Sequence, residues 1–261
     1  MAWHYQGEVV ILEVEERKRK LSEFFGFNSN GELLTAASAS FNLDSRAAAG
    51  LKQFHIEWHI IPSIESIPLD DAYFSRLYPR APRDFADTVE HRTSYRDRIV
   101  AGHRSHEGRI VGVETTLKPR YLPRNRQFYG TLYGFDHSAD PFASYIGLAG
   151  MMNGIRYDHN YLALREFIRV VTEDWRARSL LPAGYRVTVC PPAIFNLIGT
   201  VFHPEWSETE TIELGFYRDN EGNATCYAVG SNSPGDFSYI NEIEGEGDWS
   251  LMGFRIALVP E

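Results

Sequence analysis

Carboxylates and histidines in strand-like surroundings are the groups in this sequence with chemistry to offer. His55-Ile56-Glu57-Trp58-His59 sets two imidazoles four residues apart, the spacing that chelates zinc when it falls on a helix. Here Phe54, Ile56, Trp58 and Ile60 alternate with His55, Glu57 and His59, which is the period of a strand. On a strand the two histidines stand about 13 Å apart, so a polar strand face is expected and no metal ligands are assigned. Glu57 and Glu114 project from strand-like pieces, and Asp136 follows one; these three are the candidate acid–base carboxylates. Glycoside hydrolysis would need two of them opposed, at roughly 5–5.5 Å for a retaining or 6.5–9.5 Å for an inverting mechanism.

Other groupings are less specific. The glycine-flanked stretch Gly102-His103-Arg104-Ser105-His106-Glu107-Gly108 could supply an acid or base, and reads equally as a polar turn. Asp136-His137 and Asp158-His159 repeat one dipeptide, but sequence neighbours seldom aim at the same atom, and Asp158 or Asn160 is placed to cap a helix. Tyr129, Thr131 and Tyr217 could line an aromatic pocket for a ligand, including a nucleotide sugar or NAD. No GxSxG, GxGxxG, Walker A or HExxH occurs, which removes several enzyme classes. No cofactor is assigned.

The elements that must position these groups follow from hydrophobic period. Strands are expected at 8–14, 54–61, 109–115, 128–134, 186–190 and 253–259, and a short charged helix at 15–25. The strongest helix covers 160–178, where Tyr161, Leu164, Ile168, Val171 and Trp175 share one stripe. Arg176 and Arg178 suit the negative end of its dipole, and Pro182 stops it. Segments 212–217 and 225–229 form a hairpin about Asp219-Asn220-Glu221-Gly222-Asn223. Residues 62–104 are rich in Pro, Arg and Asp without clear period and read as a loop-rich insertion. The expectation is one α+β domain over 1–261, an antiparallel-rich sheet packed with one long amphipathic helix.

Composition narrows the function classes. With 43% hydrophobic and 23% charged residues the chain is an ordinary globular protein. Cys190 and Cys226 belong to no CxxC or zinc pattern and point to a reducing compartment. No apolar run approaches the roughly 20 residues that span a bilayer, and the first residues lack a secretory pattern, so an intracellular protein is expected. A net charge of −9 argues against nucleic acid. Arginines cluster between 76 and 126 while 242–248 is acidic, a segregation that favours a protein partner.

From 129 to 230 the chain resembles the RolB/RolC family, the plant-growth-altering Plast proteins encoded on agrobacterial transferred DNA. Four pieces carry the likeness in order. They are Phe128-Tyr129-Gly130-Thr131; Tyr157-Asp158 with Leu162-Ala163-Leu164-Arg165-Glu166; a strand from Tyr185 to Cys190 that breaks at Pro192 and resumes at Ile194-Phe195-Asn196-Leu197; and Gly215-Phe216-Tyr217-Arg218 with Tyr227-Ala228-Val229-Gly230. The resemblance implies an effector of hormone response in the host plant cell, in cytoplasm or nucleus. It implies β-glucosidase-type hydrolysis of cytokinin or auxin glucosides or, alternatively, a non-catalytic binder of a host regulatory protein or an ADP-ribosyltransferase-like fold. It supplies no catalytic residue set, and whether the chain is an enzyme stays open at this point.

Overall fold

The computed structural model describes residues 15–26, 43–62, 102–116, 140–151, 156, 160–208, 212–218, 224–230, 239–243 and 253–261. The expected strands at 8–14 and 128–134, and nearly all of the loop-rich segment, lie outside these residues.

In chain order the elements are α1 (15–25), α2 (Ser45–Lys52), β1 (Ile56–Ile60), β2 (Ile110–Glu114), α3 (Ala143–Leu148) and α4 (Tyr161–Ala177). There follow β3 (Tyr185–Val189), α5 (Pro192–Phe202), a 3-10 helix at Pro204–Glu208, β4 (Ile212–Arg218), β5 (Ala224–Gly230), β6 (Tyr239–Ile243), β7 (Gly253–Phe254) and β8 (Ile256–Pro260). The class is α+β. One sheet runs β1-β2-β8-β3, antiparallel throughout. A second runs β6-β5-β4-β7, in which only β4–β7 is parallel. No helix among the described residues is long and apolar enough to cross a membrane.

Helix α4 forms where the stripe predicts it. Asn160 caps it by accepting the Ala163 N–H at 3.0 Å, and Leu164, Phe167, Val171 and Trp175 are buried. Burying a side chain of this size stabilises by about 1.5–3 kcal/mol. This face meets Phe54, Phe142 and Tyr145 and the side of the first sheet that carries Ile56, Trp58 and Leu258. Leu214 of β4 and Phe254 of β7 join the same core.

The other side of that sheet is also covered, which the expectation of a single packing helix does not provide for. Leu21 and Phe25 of α1 and Ile194, Phe195, Leu197 and Ile198 of α5 bury Val111, Val113, Ala257 and Val259. The stretch after Pro191, expected to resume as strand at Ile194, is therefore helical. It is apolar on nearly every side, as a helix enclosed by protein must be, and Pro192 sits at its first turn, where a missing N–H costs nothing.

The chain end departs from expectation as well. The predicted strand 253–259 is split: Gly253–Phe254 pairs in the second sheet and Ile256–Pro260 in the first. Arg255 stands between them, 2% exposed, with Nε and Nη2 each 2.9 Å from a Glu213 carboxylate oxygen. Its guanidinium lies 3.6 Å over the Trp206 ring, and Nη1 donates to the Glu114 carbonyl at 2.7 Å.

Candidate active site

Strand register decides which carboxylates can meet. In β1 and β2, Glu57 lies opposite Val113 and Glu114 lies opposite Ile56. Partners across an antiparallel pair share a face, and successive residues alternate. Glu57 and Glu114 therefore project from opposite faces and cannot bracket one bond. The expectation of an opposed pair fails on parity.

Glu114 is fully buried. Its Oε2 accepts from Arg156 Nη1 at 2.8 Å and from the Ile256 N–H at 3.2 Å, and Oε1 is 2.7 Å from Arg156 Nη2. The same guanidinium grips buried Asp140 through Nε and Nη2. Burial works to raise the Glu114 pKa, but the Arg156 charge and hydrogen bond outweigh it and hold the carboxyl below its ordinary value. This geometry makes Glu114 the counter-charge of a buried arginine.

Glu57 is different. Its side chain is 35% exposed, on the sheet face shared with α1 and α5. Oε2 accepts from Arg17 Nη2 of α1 at 2.8 Å and lies 3.3 Å from His203 Nε2, while Oε1 takes the Thr115 hydroxyl at 3.2 Å. Arg17 also donates to the Trp58 carbonyl. Partial burial raises the Glu57 pKa, yet the His203 hydrogen bond and the Arg17 charge prevail and bring it down to about 2. It is an anion throughout the neutral range.

Two residues along β1, on the same face, His59 is completely buried, its ring 4.8 Å from that of Phe202. The expected polar strand face is thus covered protein interior at this point. Burial, then the charges of Arg17 and His203, push His59 well below its ordinary pKa. His203 caps the C-terminus of α5. Its Nδ1 lies 2.8 Å from Glu205 Oε1 and its ring stacks on Trp206 at 4.8 Å. The outcome is a row of Glu57, His203 and Glu205 at a partly open edge, with His59 behind it.

Sequence reasoning found Glu57 and missed its partners. No local spacing ties it to His203, 146 positions later, or to Arg17, whose helix was legible but not its docking. The only signal was His203-Pro204-Glu205, an imidazole and a carboxylate beside a helix-ending proline. Asp136, Tyr129 and Thr131 lie outside the described residues, as do the two Asp-His dipeptides. Tyr217 falls in β4 opposite Thr225.

The glycine-flanked stretch is a short helical segment at 102–104 followed by a hydrogen-bonded turn at 105–108, with Arg104 and Ser105 exposed, but its two histidines point inward. His103 and His106 are 3% and 8% exposed, and His103 Nε2 is 2.8 Å from the Pro62 carbonyl. Burial lowers both pKa values, that of His106 to about 4. Neither lines an open site.

Comparison with protein-family models, with curated proteins and with solved structures finds no match to this chain.

Proposed function

We propose that this chain is a growth-modulating effector of the RolB/RolC kind that hydrolyses a small glucoside, a cytokinin or auxin conjugate, inside the host plant cell. One arrangement carries the catalytic half of this reading. The half-exposed, ionised Glu57 carboxylate lies 3.3 Å from His203 Nε2, and the opposite nitrogen of that ring is held by Glu205. A base or nucleophile must be ionised at working pH and reachable by water, and Glu57 is both. A permanent anion cannot be the acid; His203, hydrogen-bonded to Glu57 and steered by Glu205, orients it as base or nucleophile. Glu114 takes no part, because its charge is spent on Arg156 deep in the sheet.

The test is glucose release by the purified chain from cytokinin and indole glucosides. Turnover should fall by about 10²–10⁴ in Glu57→Gln, with circular dichroism unchanged. Parent turnover no faster than a heat-denatured sample, or a Glu57→Gln variant as fast as the parent, removes the reading. The alternative of a non-catalytic binder of a host regulatory protein is set in arginine-rich and acidic segments that lie largely outside the described residues.

A further inference from the structure

Glu57, His59 and His203 bring one carboxylate oxygen and two imidazole nitrogens within 4.8 Å of one another. The two spacings to the carboxylate are close to those of a metal's coordination sphere. Glu57 Oε2 is 3.3 Å from His203 Nε2 and 3.7 Å from His59 Nε2. Four ligands arranged tetrahedrally at zinc bond lengths of about 2.0–2.1 Å stand about 3.3 Å from one another. These groups come together from a strand and from the residue that caps a helix distant in sequence.

Two hydrogen-bond accounts point the same way. His59 is fully buried, and neither ring nitrogen has a hydrogen-bond partner among the described residues. Leaving a buried polar group unserved costs about 1–3 kcal/mol, and a fold rarely tolerates this without a use for the group. His203 poses the second problem. A neutral imidazole has one N–H. Given to Glu205 at 2.8 Å, it leaves Nε2 facing the Glu57 oxygen, where a second ring proton or a cation is needed to join the two. A proton serves that pair alone; a cation between them serves the pair and gives buried His59 a partner as well. A carboxylate on the far nitrogen, here Glu205, is the usual device that orients a metal-bound histidine.

We propose that Glu57, His59 and His203 are ligands for a divalent transition metal of the zinc type, with Glu205 positioning His203. Imidazole and carboxylate donors suit zinc. Three protein ligands leave a fourth position on the exposed Glu57 side, where a metal-bound water would sit. Arg17 is the built-in competitor: its Nη2 lies 2.8 Å from the ligating oxygen and must withdraw as the ion enters. The use of that water in hydrolysis rests on the function proposed above, with Glu57 then contributing as a ligand and the metal-bound water as the attacking group; the binding of the ion does not rest on it.

The test is therefore run without substrate. The full chain, stripped with a chelator, is titrated with Zn2+ by calorimetry and with Co2+ by visible absorption. One ion per chain and the spectrum of four-coordinate cobalt are expected. His203→Gln and His59→Phe should each weaken zinc at least 100-fold. Glu205→Gln should weaken it 10- to 100-fold, Arg17→Gln should tighten it, and His55→Asn should leave it unchanged. If His59→Phe fails to fold, His203→Gln and Glu205→Gln decide the matter. Absence of saturable zinc binding, or equal affinity in the parent and His203→Gln, overturns the site. Zinc bound in the stated order supports it even if no glucoside is cleaved, whereas Glu57-dependent cleavage by a chain that binds no zinc overturns it and leaves the hydrolase reading standing.

Discussion

Glu114→Gln separates a structural carboxylate from a working one. Glutamine can place its amide oxygen where Oε2 lies and still accept from Arg156 Nη1 and the Ile256 N–H. Its amide nitrogen then replaces Oε1, 2.7 Å from Arg156 Nη2, and a donor confronts a donor. Hydrogen bonds to charged groups contribute about 1.5–3 kcal/mol each. Because Arg156 retains Asp140, the full penalty of about 3–5 kcal/mol for an orphaned buried charge is not reached. The expected loss is about 2–3 kcal/mol, or roughly 5–10 °C in melting temperature for a chain of this size.

Arg156→Met is the harsher partner experiment. It strips the counter-charge from two buried carboxylates at once and should cost at least about 4 kcal/mol. Glu57→Gln, at a half-exposed position, should cost within about 1 kcal/mol. Urea unfolding with linear extrapolation reads all three. The ranking follows from where each charge sits. A Glu114→Gln chain within 0.5 kcal/mol of the parent (an order-of-magnitude bound for a surface change), or one less stable than Arg156→Met, would refute the reasoning.

Two further outcomes follow from packing and burial. At Gly112, which faces Trp58 and Leu258 across the sheet, an added Cβ would come within 2.9 Å of both Ile56 Cγ2 and Leu258 Cδ1; Gly112→Ala should therefore cost about 1–3 kcal/mol by overpacking, read by thermal unfolding. His106 has its pKa lowered to about 4 by burial and then by Arg186, His103 and Arg109, so the unfolded chain binds the extra proton first as pH falls. Stability is retained above the ordinary histidine value and declines between about pH 6.5 and 4, by about 3 kcal/mol from this residue. His106→Gln should reduce the slope of unfolding free energy against pH across that window, leaving the part that belongs to His59 and His103, and an unchanged profile would count against the assignment.

Much of the framework was legible because its periods are local. Alternation places β1 and β2, a three-and-four stripe with an asparagine cap places α4, and the turn residues between 218 and 224 place the β4–β5 hairpin. Helix α5 was misread because Ile194, Phe195, Leu197 and Ile198 show no polar face to count against. A run apolar all round fits a buried strand and a buried helix equally well, and only Pro192 at its start favoured the helix. The break at Arg255 has no local signature either. Gly253 to Val259 reads as one strand until Glu213 captures the guanidinium and turns the two halves into different sheets.

The same limit explains the two carboxylates. Alternation states that Glu57 shares a face with His59 and that a residue one step away does not. It is silent on which face water reaches, because that depends on what docks there. Helices α1 and α5 close over His59 but leave Glu57 at their margin, while the opposite core and Arg156 enclose Glu114. One carboxylate is thereby an accessible anion beside an imidazole, and the other a fixed countercharge. The chemistry of each was set by elements distant in sequence, and His203, 146 positions from Glu57, caps the helix that the sequence disguised.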